Sequence, residues 1–342
     1  MHESSIFSQV TRPIDIGSKP LPNRLFLAPM AGLGHIAFRH LVADFGGFGL
    51  LFTGMCSARA VPQENPKISS VFSFRKEELD HTVCQIFGST QEDMAKAAQR
   101  IEAEGFFGVD LNFGCSVAGI CKKGAGAALL RNPHQAARIV EAVRRAVSCP
   151  VFVKFRTGWQ DMPTQPANLA ALFERAGADA LVFHPRLAPD RRTRPPKWEL
   201  IGQVQNAVSI PVFGNGNIFD KEDAVNMLTQ GPCQGISLGR MAVARPWIFA
   251  QWTGNLQESD SIYQETAARM AELMNQYFPQ ATALTLFKKF ARYFCANFRF
   301  SHEIYKKMIR ANNMKDIQAN IDELLTPCPE RLSRPSTHMF LG

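Results

Sequence analysis

Eight short apolar, often β-branched runs lie along the first 240 residues, helical segments separate them, and each run ends in a polar or turn residue. Together these predict an α/β fold, a (β/α)8 TIM barrel. The length of 342 residues accommodates a barrel of about 250 residues and a smaller C-terminal domain. The content of 46% hydrophobic residues excludes a disordered chain. The expected organisation is an N-terminal extension over 1–20, the barrel over 21–255 and a second domain over 256–342.

The runs fall near residues 25–28, 49–53, 83–87, 108–111, 150–154, 180–184, 210–214 and 235–238. Helical spacing is read between several of them, at Asp93 to Glu104, Pro133 to Ala146, Ala167 to Ala176 and Lys221 to Gln230. The strand ends carry Pro29, Thr53, Gln85, Asn112, Lys154, His184, Asn215 and Gly239, at the face where such a barrel keeps its chemistry. One polar residue after a strand is merely a loop; eight in series are harder to dismiss.

The fourth run is the most informative. It delivers Asn112 and Cys115 and then turns through Gly124 and Gly126, the layout of an active-site edge. Lys154, in Val153-Lys154-Phe155-Arg156-Thr157-Gly158, points its ammonium into the barrel mouth, where a cation could stabilise the negative N1/O2 edge of a reduced flavin. The plain alternative is a solvated lysine. Gly214-Asn215-Gly216-Asn217-Ile218 and Leu238-Gly239-Arg240-Met241-Ala242 follow the seventh and eighth runs, where barrels commonly bind phosphate. Either motif alone could be a tight turn; the pair favours a phosphorylated ligand, with Arg240 adding a charged contact.

Composition narrows the function classes. Eight cysteines at 56, 84, 115, 121, 149, 233, 295 and 328 contain no CxxC pair, which suggests neither a zinc site nor a disulfide scaffold. No run of 18 apolar residues occurs, and the first twenty residues do not read as a signal peptide. A cytoplasmic protein without a metal is expected, as a monomer. The net charge of +8 favours a polyanionic partner, weakly by itself.

Several motifs, in one order and spacing, resemble the tRNA-dihydrouridine synthase family. They are Leu27-Ala28-Pro29-Met30-Ala31-Gly32 with Phe38-Arg39, Gln85-Ile86-Phe87-Gly88, Asp110-Leu111-Asn112-Phe113-Gly114-Cys115, the Lys154 segment, His184 with Arg186, Asn215-Gly216, and Gly239-Arg240 with Pro246-Trp247-Ile248-Phe249. The resemblance runs from about residue 20 to 255. It implies an FMN-containing barrel, then an all-helical RNA-binding domain, reducing the C5=C6 bond of selected uridines in tRNA with NADPH. It further implies that Pro29, Met30, Gln85, Lys154, His184, Asn215, Gly216, Asn217, Gly239 and Arg240 contact FMN. Asn112, Arg156 and Arg186 would meet the substrate. Cys115 would be the general acid, giving a proton to C5 after hydride from flavin N5 reaches C6; a thiol with a pKa near neutrality suits that task.

A base inside folded tRNA must be unstacked to reach such a site, at a cost of a few kcal/mol that phosphate contacts offset. Between Leu284 and Lys315 stand Lys288, Lys289, Arg292, Arg299, Lys306, Lys307, Arg310 and Lys315 against the one acid Glu303. On a continuous helix Lys288, Arg292 and Arg299 fall within about 40° of each other, opposite Phe287, Phe290, Phe294 and Phe298. The aromatics are expected in the core and the basic stripe on RNA. Arg186, Arg191, Arg192, Arg194 and Lys197 form a second basic cluster after the sixth run.

Departures from the family pattern gather near the site: Ser116 for a proline, Pro185 and Leu187 within the usual His-Gly-Arg-Thr, Gly54 for a glutamate, and Gly34-His35 for Thr-Asp. They leave three other readings open. One is a divergent member acting on another RNA. The second is an FMN barrel reducing a small pyrimidine or enone, and the third is a noncatalytic RNA-binding protein on a vestigial barrel.

Overall fold

The computed structural model describes residues 3–190 and 194–341; Arg191 and Arg192 of the second basic cluster lie outside them. Eight parallel strands form the barrel: β1 Leu25–Leu27, β2 Leu51–Phe52, β3 Thr82–Phe87, β4 Gly108–Phe113, β5 Val151–Gly158, β6 Ala180–Leu187, β7 Val212–Asn215 and β8 Gly235–Leu238. Their lateral order is β1-β8-β7-β6-β5-β4-β3-β2. A parallel bridge between Phe26 and Leu50 brings β1 beside β2 and closes the ring. The expected strand positions and barrel class are borne out.

Alternation along the strands sorts side chains between the lumen and the surrounding helices. Phe26, Phe52, Val83, Phe152 and Phe213 pack in one buried cluster, with Phe26 stacked on Phe213 at 3.9 Å between centroids. Ile16 and Leu21 join it from a hairpin of Ile14–Ile16 and Lys19–Leu21 that the sequence reading passed over. On the other face Phe113 and Phe155 meet Phe173 of the helix Gln165–Arg175. That division leaves Asn112, Lys154 and Arg156 to the opposite side.

Helix ends follow local chemistry. Thr90 and Asn132 cap the helices Gln91–Glu104 and Pro133–Ala146 by accepting main-chain N–H groups with their side chains. Met94, Ala97, Ala98 and Ile101 form the buried stripe of the first, and Ala136, Ile139, Val140 and Val143 that of the second. Two glutamates then fasten helices to the starts of strands. Glu102 Oε1 accepts from the Ser148 N–H and hydroxyl and the Cys149 N–H at 2.7–2.8 Å. Glu174 Oε1 repeats the device on Ser209 and Ile210. A clamp therefore precedes both β5 and β7.

Packing divides the chain into two compact units, 1–29 with 48–238, and 30–47 with 239–342. In the second, Trp247 is fully buried against Phe45, Tyr263 and Phe294. Its helices include Ile36–Phe45, Ser261–Tyr277, Gln280–Phe294, Ser301–Arg310 and Met314–Leu325. His35 caps the first, Nδ1 accepting the Phe38 N–H at 3.3 Å. Burial, with Arg39 and Lys289 nearby, pushes its pKa down to about 3 and keeps that nitrogen an acceptor.

Candidate active site

Side chains from β3 and β4 make a directed chain at the barrel mouth. Gln85 and Asp110 are register partners, and Gln85 Nε2 donates to Asp110 Oδ2 at 2.5 Å. Asn112 Nδ2 donates to Gln85 Oε1 at 2.8 Å. The remaining oxygen of Asn112 accepts the main-chain N–H groups of Gly114 at 3.2 Å and Cys115 at 2.9 Å. Main-chain N–H of Gln85 is itself held by the Thr53 hydroxyl at 3.0 Å. The cysteine loop is thus tied to the sheet through side chains that are all buried.

Cys115 is half-buried, and Ala127 N–H donates to its carbonyl at 2.8 Å. Burial pushes the thiol up from its ordinary range, Cys121 adds to the rise, and the Val117 N–H, Arg156 and Lys154 pull the other way. This corrects the expectation of a pKa near neutrality: desolvation outweighs the cations, so the thiol keeps its proton.

Lys154 pairs in register with Asn112 and donates through Nζ to Asn215 Oδ1 on β7 at 3.3 Å. Asn215 Nδ2 donates to the Ser237 carbonyl on β8 at 2.7 Å, which fixes its oxygen toward the lysine. Burial lowers the Lys154 pKa, opposed by the charge of Asp110, while burial raises Asp110 against the pull of Gln85 and Lys154. Asp110 is the residue that sequence reasoning missed as a part of the site. The available signal was a carboxylate inside an otherwise apolar strand, Val109-Asp110-Leu111.

The loop after β7 meets β6. Gly216 has φ +117, and a Cβ there would lie 2.7 Å from His184 Cδ2, so the imidazole occupies the space of a side chain. Arg186 is 3% exposed; it donates to the Arg194 carbonyl at 2.7 Å and Asn217 Oδ1 at 3.1 Å. It braces two loops. Arg156 donates to the Leu187 carbonyl at 2.9 Å.

Pro29 ends the barrel unit's first segment, whereas Met30, Gly239 and Arg240 belong to the second unit. In that unit the Met30 carbonyl accepts from Leu33 and Gly34 N–H groups. Lys288 is half-buried on the helix Gln280–Phe294. Arg292 donates to the Met339 carbonyl at 3.0 Å. Arg299 donates through Nη1 to both oxygens of Glu330 at 3.0 and 2.9 Å.

The continuous helical wheel is corrected here, because the helix ends at Phe294 and a 3-10 turn follows over Cys295–Asn297. Asn297 is fully buried, and its Nδ2 donates to the Ala244 and Phe294 carbonyls while Oδ1 accepts from Arg245. Arg299 therefore leaves the stripe of Lys288 and Arg292. Phe287, Phe290, Phe294 and Phe298 are buried as expected.

A family model described as "Dihydrouridine synthase (Dus)" matches residues 26–327. The chain belongs to the dihydrouridine synthase family. The resemblance drawn from the motifs is borne out. Among dihydrouridine synthase relatives, "tRNA-dihydrouridine synthase B" of Pseudomonas aeruginosa is 36% identical over 80% of this chain and 81% of its own. "Probable tRNA-dihydrouridine synthase 1" of Synechocystis sp. is 28% identical over 92% and 90%.

Among solved structures, morphinone reductase in complex with tetrahydroNAD matches with a TM-score of 0.51 and 15% identity, over 73% of this chain and 92% of that one. Histamine dehydrogenase from Rhizobium sp. 4-9 matches with a TM-score of 0.55 and 13% identity, over 78% of this chain. The chain spans about half the length of that dehydrogenase, 51%. At these identities the likeness is one of fold. Among the described residues no helix is long and apolar enough to cross a membrane, and no group of three or more His, Cys, Asp or Glu could hold a metal ion.

Proposed function

We propose that this dihydrouridine synthase family member reduces the C5=C6 bond of particular uridines in tRNA to dihydrouridine, with FMN as cofactor and NADPH as electron donor. The observation that carries the reading is the chain Asp110–Gln85–Asn112–Cys115, which ties the cysteine loop and the Asn112 amide to one strand end, where Lys154 pairs in register with Asn112. The names of the relatives support tRNA as the substrate.

The residues present fit a flavin mononucleotide. Lys154 supplies a cation in the mouth held by Asn215, suited to an electron-rich ring edge. Gly216 lets the β7 loop lie directly against His184, and the proposed phosphate contacts are main-chain N–H groups of that loop. Pro29, Met30, Gln85, Asn217, Gly239 and Arg240 enter the proposed set through the family resemblance of their motifs. When bound and reduced, FMN supplies a hydride to C6 of the uracil ring. Cys115 Sγ holds the proton that goes to C5, and Gly126 packs so closely under Cys115 that a Cβ there would lie 2.6 Å from its carbonyl oxygen. Asn112 has a second amide hydrogen left for the base after serving Gln85.

The region 256–342 is assigned the RNA backbone, through Lys288, Arg292 and Arg299, and Arg156 and Arg186 the approach to the mouth. Purified protein should be yellow, and after reduction by NADPH its flavin should be reoxidised faster by unmodified tRNA than by free uridine. Colourless protein that takes up no FMN overturns the reading, and equal reoxidation by the free pyrimidine turns it to small-molecule chemistry. Cys115→Ala should keep bound, reducible flavin while dihydrouridine formation falls by about two to four orders of magnitude.

A further inference from the structure

The proposed reaction uses the thiol and the two amides but leaves Asp110, fully buried at the head of their chain, without a task. We propose that Asp110 is a positioning residue for Cys115, acting through the side chains of Gln85 and Asn112. Asp110 Oδ2 is the accepting atom here, and it keeps lone pairs for Nε2 even when a proton sits on the other oxygen. Oδ2 therefore compels Gln85 to present Nε2, which turns Gln85 Oε1 toward Asn112. Asn112 must answer with Nδ2, so its oxygen faces the loop, where the N–H groups of Gly114 and Cys115 are fixed donors. Every link has one permitted sense, set by an acceptor at one end and donors at the other.

The alternative sense would put the Asn112 NH2 against two main-chain N–H groups, with no acceptor between them. In a buried setting each lost link leaves a polar group unsatisfied, so disturbance at Asp110 travels along the chain instead of being absorbed by water. The far end is the backbone of Cys115, and the position of its Sγ follows. The catalytic meaning of this arrangement rests on the proposed function; the positional one does not.

The test is the alkylation rate of Cys115 in the purified full chain, followed by peptide mapping with Cys328 as an internal standard. Asp110→Asn keeps an oxygen for Gln85 and should stay within about twofold of the parent. Asp110→Leu removes it, and a loosened, better solvated thiol should react about threefold faster or more. Gln85→Leu should do the same, and the double variant Asp110→Leu/Gln85→Leu should match Gln85→Leu alone, because the effect passes through that residue. In the holoenzyme, Asp110→Leu should slow reoxidation by RNA at least about tenfold more than it slows reduction by NADPH, a split that general damage to the barrel would not give. An additive double variant, or parental Cys115 reactivity in Asp110→Leu, overturns the proposal. Should Asp110→Leu fail to fold, Gln85→Leu reads the chain from its middle, and parental reactivity there overturns it equally. Alkylation needs neither flavin nor RNA, so a wild-type protein inert toward tRNA would count against the proposed function alone.

Discussion

The ammonium of Lys154 on β5 reaches past β6 to Asn215 on β7, donating to its Oδ1 at 3.3 Å. Because Asn215 is anchored in turn to the Ser237 carbonyl on β8, the position of the charge is set by three strands. A neutral side chain of similar length should vacate that contact without collapsing the barrel. Lys154→Met is expected to weaken FMN binding by about one to two orders of magnitude, the worth of one hydrogen bond from a charged group. Fluorescence titration of the flavin-free protein measures it, and unchanged affinity would remove Lys154 from the cofactor set.

Only the protonated form of Cys115 has a proton to give. Since burial holds its pKa above the ordinary value of 9.0, the proton is present throughout the neutral range and lost as pH rises through the elevated value. Single-turnover reoxidation of the flavin by saturating tRNA should therefore be flat near pH 7 and decline only in alkali. A decline centred near neutrality that persists in Cys115→Ala would trace to Asp110 or Lys154, whose pKa values burial moves to about 7 and about 8, and one lost with the thiol would mean that the cations beside it prevail over its burial.

Glu102 and Glu174 test the clamps before β5 and β7. Burial acts to raise each carboxyl, but the hydrogen bonds from Ser148 and Cys149, or Ser209 and Ile210, prevail and hold it below the usual value of 4.5. The stabilisation is thus complete above that value and lost as pH falls through the depressed one. Glu102→Gln and Glu174→Gln should each cost up to about 1 kcal/mol at pH 7 after allowance for solvent screening. Thermal melts from pH 7 down to acid should bring parent and variants together.

Arg299 and Glu330 are about 60% exposed and bound to each other. Any phosphate on Arg299 must compete with that carboxylate, so Glu330→Gln should tighten tRNA binding, whereas Arg299→Ala should weaken it and lower the salt slope by about one. Filter binding at two or more ionic strengths separates the cases. If neither variant shifts affinity, the RNA surface lies away from Arg299.

Sequence alone located the barrel because apolar strands and amphipathic helices alternate with little interruption; Gly108–Phe113 and Lys221–Gln230 lie where the pattern puts them. The places of Asn112 and Cys115 at a strand's end were legible for the same reason. The hydrogen bond of Asp110 was not, since its partner Gln85 lies on another strand. The helical course of the basic tail was misread for a different reason. Its periodicity runs smoothly through Phe294, and nothing local marks Asn297 as the buried amide that joins Ala244, Arg245 and Phe294 and ends the helix. Arg186 and Arg292 carry contacts that no local pattern announces, each donating to a main-chain carbonyl, of Arg194 and of Met339.

The helix Ile36–Phe45 comes early in the chain, yet its neighbours come late: Asp44 pairs with Arg269, His40 with Tyr277, and Phe38 with Phe290. A ribosome releases this segment long before those partners exist, and it must stay unsatisfied until residues 269–290 have been made. Cutting the gene after residue 255 would therefore not yield a trimmed enzyme but a protein with an orphaned, sticky helix near its start.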